Sequence, residues 1–273
     1  MGYNDLVARN MFSESGGERS RPEEKIETIG KIETIETIKA LEASDSPVIR
    51  LVKKLPAEPS SIGVFASSFN PVTVAHMELM TRARARFALD EVLALASVAN
   101  ADKTSYECGL ANRLEMLELA VDAAKGVSIG VSSTGFFVDM ISALKAVYPN
   151  GPGIHFITGF DTLVRILDAD GKYVSRYYNR FNDRREVLEY LLKNSRVIVA
   201  ERSGYGESHL KEILEREHSI SPDRVLFMPF PADFSDRSSS QVRGRVQAGE
   251  SISDLVAPGV GQYIREHGLY LSR

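Results

Sequence analysis

The chain has 273 residues, 43% of them hydrophobic and 26% charged, proportions that suit a globular protein with one sizeable core. A formal net charge of −4 gives no global reason to bind nucleic acid, so any anion site has to be built locally. The single cysteine, Cys108, excludes an internal disulfide and a cysteine-based zinc cluster, and no apolar run approaches the roughly 20 residues that cross a bilayer.

In chain order, residues 1–58 read as an N-terminal extension. Its start, MGYNDLVARNMFSESGGERSRPEEK, lacks the apolar centre of a signal peptide, so the cytosol is the expected compartment, with the nucleus also open. The repeat IETIGKIETIETIKALE then places Ile26, Ile29, Ile32, Ile35, Ile38 and Leu41 at every third position. A period of three drifts around a helix and does not alternate like a strand, so a marginal helix or a disordered arm without catalytic role is expected. A Ser/Pro linker at Pro47, with Pro56 and Pro59 after it, closes the segment.

From Ser61 onward, short apolar runs alternate with helical patterns. Strands are expected at 61–66, 91–98, 127–132, 154–158, 196–201 and 224–228. Helices are expected at 73–87, 109–125, 135–147, 159–167, 183–193, 207–217, 239–248 and 256–267. That alternation predicts an α/β fold over residues 59–273: a Rossmann-like, doubly wound parallel sheet with a C-terminal helical segment. Ligands of such sheets sit beyond the strand C-termini, at the point where the strand order reverses.

The stretch Ser67-Ser68-Phe69-Asn70-Pro71-Val72-Thr73-Val74-Ala75-His76 lies at such a strand exit. It joins an apolar strand to a helix that begins near Thr73, and a helix start offers unpaired N–H groups to a phosphate. Thr73 and His76, three residues apart, share one face of the first turn. Gly159 and Asp161 follow another strand, and Ser238, Ser239 and Arg243 sit at a later helix start, so all can converge on one site.

These motifs resemble the nucleotidyltransferase superfamily, whose signature is (H/T)-x-G-H at a helix start; here it reads Thr73-Val74-Ala75-His76. The Ser238-Ser239-Ser240-Gln241-Val242-Arg243 run is similar to the family's second signature, and Gly159-Phe160-Asp161 to its G-x-D. Within the superfamily the chain looks most like nicotinamide or nicotinate mononucleotide adenylyltransferases. The string GFDTLVRILD, with the pairs Lys172-Tyr173 and Tyr177-Tyr178, is similar to a fungal-type subgroup of them. Three motifs in the right order and context make a specific signal.

The resemblance implies transfer of the adenylyl group of ATP to a pyridine mononucleotide, giving NAD or its deamido form and pyrophosphate. It implies ATP contacts from Ser68, Phe69, Thr73, His76, Gly159, Asp161, Ser238, Ser239 and Arg243, with His76 and Arg243 catalytic. It places Asn70, Lys103, Phe137, Asp139 and Arg202 by the mononucleotide, and Arg113 in a helix these enzymes share. Phe137 would stack on the pyridine ring. Mg²⁺ would be held mainly by the ATP phosphates, since the sequence shows no metal constellation. Each residue has a plainer reading: His76 and the serines as helix caps, Lys103, Arg113 and Arg202 as solvated charges, Phe137 as core. His155 reads as a buried strand residue, and His209, His218 and His267 as helix-surface residues. Phe69-Asn70-Pro71 resembles the eukaryotic and archaeal type more than the bacterial FDP type, which favours nicotinamide mononucleotide and leaves use of both forms open. Two other functions stay open: a relative acting on a different phosphate acceptor, and a nucleotide-binding regulator without turnover. The partners expected are ATP and the mononucleotide, with no nucleic acid and no membrane; homo-oligomers are left open.

Overall fold

The computed structural model describes residues 27–28, 36, 38–41, 43–44, 46–98, 107–121, 126–168, 170–177, 179–201, 205–217 and 220–271. Eight strands form one sheet: β1 (Glu27–Thr28), β2 (Ile49–Lys54), β3 (Ser61–Ser67), β4 (Glu91–Ser97), β5 (Val127–Ser132), β6 (Gly153–Gly159), β7 (Arg196–Ala200) and β8 (Val225–Met228), in the order β1-β2-β5-β4-β3-β6-β7-β8. The six strands from β3 onward are parallel, and their spatial order, third-second-first-fourth-fifth-sixth, is that of the doubly wound dinucleotide-binding sheet. β2 pairs antiparallel with β5, and β1 antiparallel with β2, so part of the N-terminal extension adds two strands to one edge.

The parallel strands are near-continuous apolar runs because helices cover both faces. Every residue of β4, EVLALAS, is buried. On one face, α1 (Val74–Arg86) and α2 (Leu110–Val121) pack with the two C-terminal helices, α8 (Ser239–Gln247) and α9 (Pro258–Glu266), through Leu79, Met80, Leu114, Leu117, Val242 and Val260. Ile38 and Leu41, at the end of the isoleucine repeat, are buried in that same cluster; residues 36 and 38–41 are helical, and Ile26, Ile29, Ile32 and Ile35 lie outside the described residues.

On the opposite face, α3 (Phe137–Val147) and α5 (Arg184–Asn194) pack through Val138, Ile141, Val187 and Leu191. Beside them, α4 (Phe160–Leu167) and α6 (Glu207–Arg216) enclose Phe160, Leu163 and Leu210 against Val197 and Val199. Each of the six strands and eight helices expected from the sequence is present within a few residues of its expected ends. The four-residue α7 (Ala232–Ser235) and two 3₁₀ turns, Val174–Tyr177 and Pro222–Arg224, were not expected. Among the described residues, no helix is long and apolar enough to cross a membrane.

Candidate active site

The strand order reverses between β3 and β6, and the chain leaving β3 there makes a tight polar turn before α1. Phe69 takes a left-handed backbone at φ 45° with its ring fully buried, and Asn70–Pro71 is a cis peptide. A non-glycine residue in that conformation costs about 1–2 kcal/mol, which the surrounding packing has to offset. The ring of Phe69 meets His76 edge-on at 5.5 Å, and Phe65 meets it at 5.6 Å, so two aromatic rings fix the imidazole.

Thr73 and His76 close a capping box at the start of α1. The amide of Thr73 donates to Nδ1 of His76 at 3.0 Å, while the Thr73 hydroxyl accepts from the His76 amide. An amide can only donate, so Nδ1 is an acceptor and the neutral ring carries its hydrogen on Nε2. Burial pushes the His76 pKa from 6.5 down to about 4, even though the half-buried ring also borders the open cleft. His76 is therefore a neutral donor at physiological pH.

Helix α8 is tied to the same turn from the far end of the sequence. Ser238 and Gln241 form a second capping box. The Ser239 hydroxyl donates to the carbonyl of Pro71 at 2.8 Å, and Nη1 of Arg243 donates to the carbonyl of Asn70 at 2.8 Å. Nη2 of Arg243 reaches Ser240 Oγ at 3.2 Å, and its Nε lies 3.4 Å from Glu107. His76 and Arg243 consequently line one cleft, together with Ser68, Gly159, Asp161 and the α8 serines. A Cβ on Gly159 would meet nothing within 4 Å, so the strand exit opens straight onto that space. A second chamber lies on the other side of Ala66–Ser68 and is mainly apolar, walled by Phe136, Phe137, Tyr173, Tyr177 and Leu191. Ala66, Ser67, Ser68, Thr162 and Arg165 line both spaces, so the two chambers meet there.

Several residues expected to touch ligand do other work. Thr73 and Phe69 are buried and line neither chamber: one caps α1, the other supports His76. Asn70, 1% exposed, accepts from the Tyr270 hydroxyl at 2.9 Å and donates to Glu107 at 2.7 Å, so its amide is turned away from both chambers. Asp139 is buried, accepts from Thr134 Oγ1, and lies 4.0 Å from Arg176 and 3.8 Å from Arg180. Arg113 is no surface charge: it is 2% exposed and donates to the carbonyls of Ser68 and Ser97 at the ends of β3 and β4. Phe137 does line the second chamber, edge-on to Phe156 at 4.8 Å. Lys103 and Arg202 lie outside the described residues. Sequence reasoning missed Glu107, Thr162, Arg165, Glu201 and Tyr270; for two of them the available signal was position, Thr162 directly following Gly159-Phe160-Asp161 and Arg165 one turn beyond Asp161 on the same helix.

The profile of the family described as cytidylyltransferase-like matches residues 64–245, well over half of the chain and the whole region that builds the cleft. The chain belongs to the cytidylyltransferase-like family. Within it, the chain is 24% identical over 216 residues to a probable nicotinate-nucleotide adenylyltransferase of Dehalococcoides mccartyi (strain ATCC BAA-2266 / KCTC 15142 / 195), spanning 76% of this chain and 96% of that one. A probable nicotinate-nucleotide adenylyltransferase of Geobacter sp. (strain M21) is 29% identical over 230 residues, covering 77% and 98%. Among solved structures, Plasmodium falciparum nicotinic acid mononucleotide adenylyltransferase complexed with NaAD superimposes with a TM-score of 0.57 at 19% identity, over 77% of this chain and 97% of that chain. At that identity the likeness establishes a shared fold.

Proposed function

We propose that the protein transfers the adenylyl group of ATP to a pyridine mononucleotide, releasing pyrophosphate. The observation that carries this reading is the shared wall: Ala66–Ser68, Thr162 and Arg165 join a polar cleft holding His76 and Arg243 to a chamber walled by aromatic side chains. ATP occupies the polar cleft and the mononucleotide the aromatic one, so the acceptor phosphate meets the α-phosphorus at the junction. The names of the bacterial relatives support a pyridine mononucleotide as acceptor. The GFDTLVRILD string supports placing the chain near the fungal-type subgroup.

The acceptor's 5′-phosphate is already ionised near neutral pH, so no general base is needed. One of its oxygens forms a bond to the α-phosphorus as the α–β bridging bond breaks, and the electron pair leaves with pyrophosphate. Alignment and charge neutralisation do the rest. Nε2–H of His76 donates to a phosphate oxygen, Arg243 supplies positive charge opposite it, and the first turn of α8 adds backbone N–H groups.

A Mg²⁺ ion would arrive on the ATP phosphates, with water completing its shell. Such a Mg²⁺ would neutralise charge on the departing pyrophosphate. Incubating the protein with ATP, Mg²⁺ and each mononucleotide, with dinucleotide and pyrophosphate quantified together, tests the reading. Equimolar products are expected, and ATP consumption without dinucleotide would refute it.

A further inference from the structure

Arg243 is held in a closed ring of contacts drawn from distant parts of the chain. Its Nη1 donates to the carbonyl of Asn70 at 2.8 Å, and the side-chain Nδ2 of Asn70 donates to Oε2 of Glu107 at 2.7 Å. The ring closes where Oε1 of Glu107 lies 3.4 Å from Nε of Arg243. Asn70 belongs to the turn after β3, Glu107 stands just ahead of α2, and Arg243 is on α8. A carboxylate only accepts, so the Asn70 group that faces Glu107 is its NH₂. The other end of that amide, Oδ1, faces Tyr270, whose hydroxyl donates to it at 2.9 Å.

Glu107 lines neither chamber, whereas Arg243 lines the polar cleft. Each terminal nitrogen of Arg243 gives one hydrogen to the protein, Nη1 to Asn70 and Nη2 to Ser240 Oγ at 3.2 Å. Each carries a second hydrogen for a phosphate in the cleft. A guanidinium is a rigid planar fork, so the aim of those hydrogens depends on how the whole plane is turned. Asn70 and Ser240 fix its two terminal nitrogens, and Glu107 fixes the Nε end, the third point that defines a plane. Positive charge lowers a barrier most when it is already aimed before the reaction begins.

The geometry points to Glu107 as a positioning residue for adenylyl transfer: it sets the plane of the Arg243 guanidinium and so the aim of the N–H groups that meet the phosphates. This rests on the adenylyltransferase reading above. The Glu107 side chain is 56% exposed, where an ion pair adds little to stability, so its contribution lies in the rate and not in folding. Glutamine cannot replace it. One of its two terminal atoms is an NH₂, which sets donor against donor at either Asn70 or Arg243.

The test is the single-turnover rate of adenylyl transfer at saturating ATP and pyridine mononucleotide, in the wild type, Glu107→Gln, Glu107→Ala, Arg243→Ala and the Glu107→Ala/Arg243→Ala double variant. Both Glu107 variants are expected to be slower by about tenfold or more, with ATP affinity changed by less than about threefold and the melting temperature within about 2 °C of the wild type. The double variant should be no slower than Arg243→Ala, because Glu107 acts only through that arginine. In the free protein, the Arg243 Nε–H signal, identified by its loss in Arg243→Ala, should exchange with solvent faster in Glu107→Gln than in the wild type. A wild-type rate in either Glu107 variant, a full further loss in the double variant, or unchanged Nε–H exchange would overturn the inference. Absence of dinucleotide from the wild type would overturn the adenylyltransferase reading instead, and the Nε–H exchange would then decide by itself whether Glu107 fixes the guanidinium.

Discussion

The Thr73 amide decides which edge of the His76 imidazole keeps a hydrogen, and burial decides that the ring stays neutral. Both consequences can be measured. Because the folded pKa is about 4 against an ordinary 6.5, the unfolded chain takes up a proton between those values that the folded chain refuses. This contribution to stability is complete above pH 6.5 and is lost as the pH falls toward 4. It amounts to on the order of 3 kcal/mol as an upper figure, because the ring borders the solvent-filled cleft. Imidazole ¹⁵N shifts are expected to show the Nε2–H tautomer unchanged from pH 8 to pH 5.5; titration near 6.5 would contradict this placement. Tyr270→Phe removes the donor to the buried Oδ1 of Asn70, and the expected loss is about 1–3 kcal/mol by thermal or urea unfolding. His76 was legible in the sequence because its partner stands three residues away. The role of Asn70 was not, because its partner Tyr270 is 200 residues downstream and only the folded chain brings them together.

At the level of elements, the turn after β3 and the start of α8 behave as one unit, joined by Ser239 to the Pro71 carbonyl and Arg243 to the Asn70 carbonyl. Helix α8 therefore sets where the guanidinium stands relative to the imidazole. Ser238→Ala breaks the α8 capping box and should lower stability by about 1 kcal/mol, with a melting temperature about 2–4 °C lower. Activity is expected to fall as Arg243 loses its fixed position, mainly in kcat. Most of the helices were readable because they carry an apolar stripe of helical period, and the strands because flanking turns bound short apolar runs; α6 and α8, which bury only Leu210 and Val242, were placed by their flanking signals. Short elements were not: α7 has four residues, too few for any period. β2 was hidden for a different reason. Its pattern, IRLVKK, ends in two lysines, and Lys53 is buried although its residue type predicts exposure.

At the scale of the molecule, the parallel sheet reverses its strand order between β3 and β6, and that reversal places two chambers side by side above the strand ends. The alternation of strands and helices made the fold class legible. Strand order was not, since it depends on which crossover passes over which face. The same limit applied to the site: residues after strands could be nominated, but whether they faced the cleft, capped a helix or supported a neighbour required the packing. Arg113 shows this most plainly, a charge expected at a helix start that lies buried beneath Ser68 and Ser97.

The central claim is that His76 and Arg243, which line one cleft, together stabilise a single adenylyl group in transfer. Single-turnover rates of adenylyl transfer at saturating ATP and nicotinate mononucleotide, for His76→Ala, Arg243→Ala and the double variant, test it most directly. Each single substitution should slow the chemical step by about 10²–10³-fold, with ATP affinity far less affected. Turnover at the wild-type rate in either single variant would contradict the account.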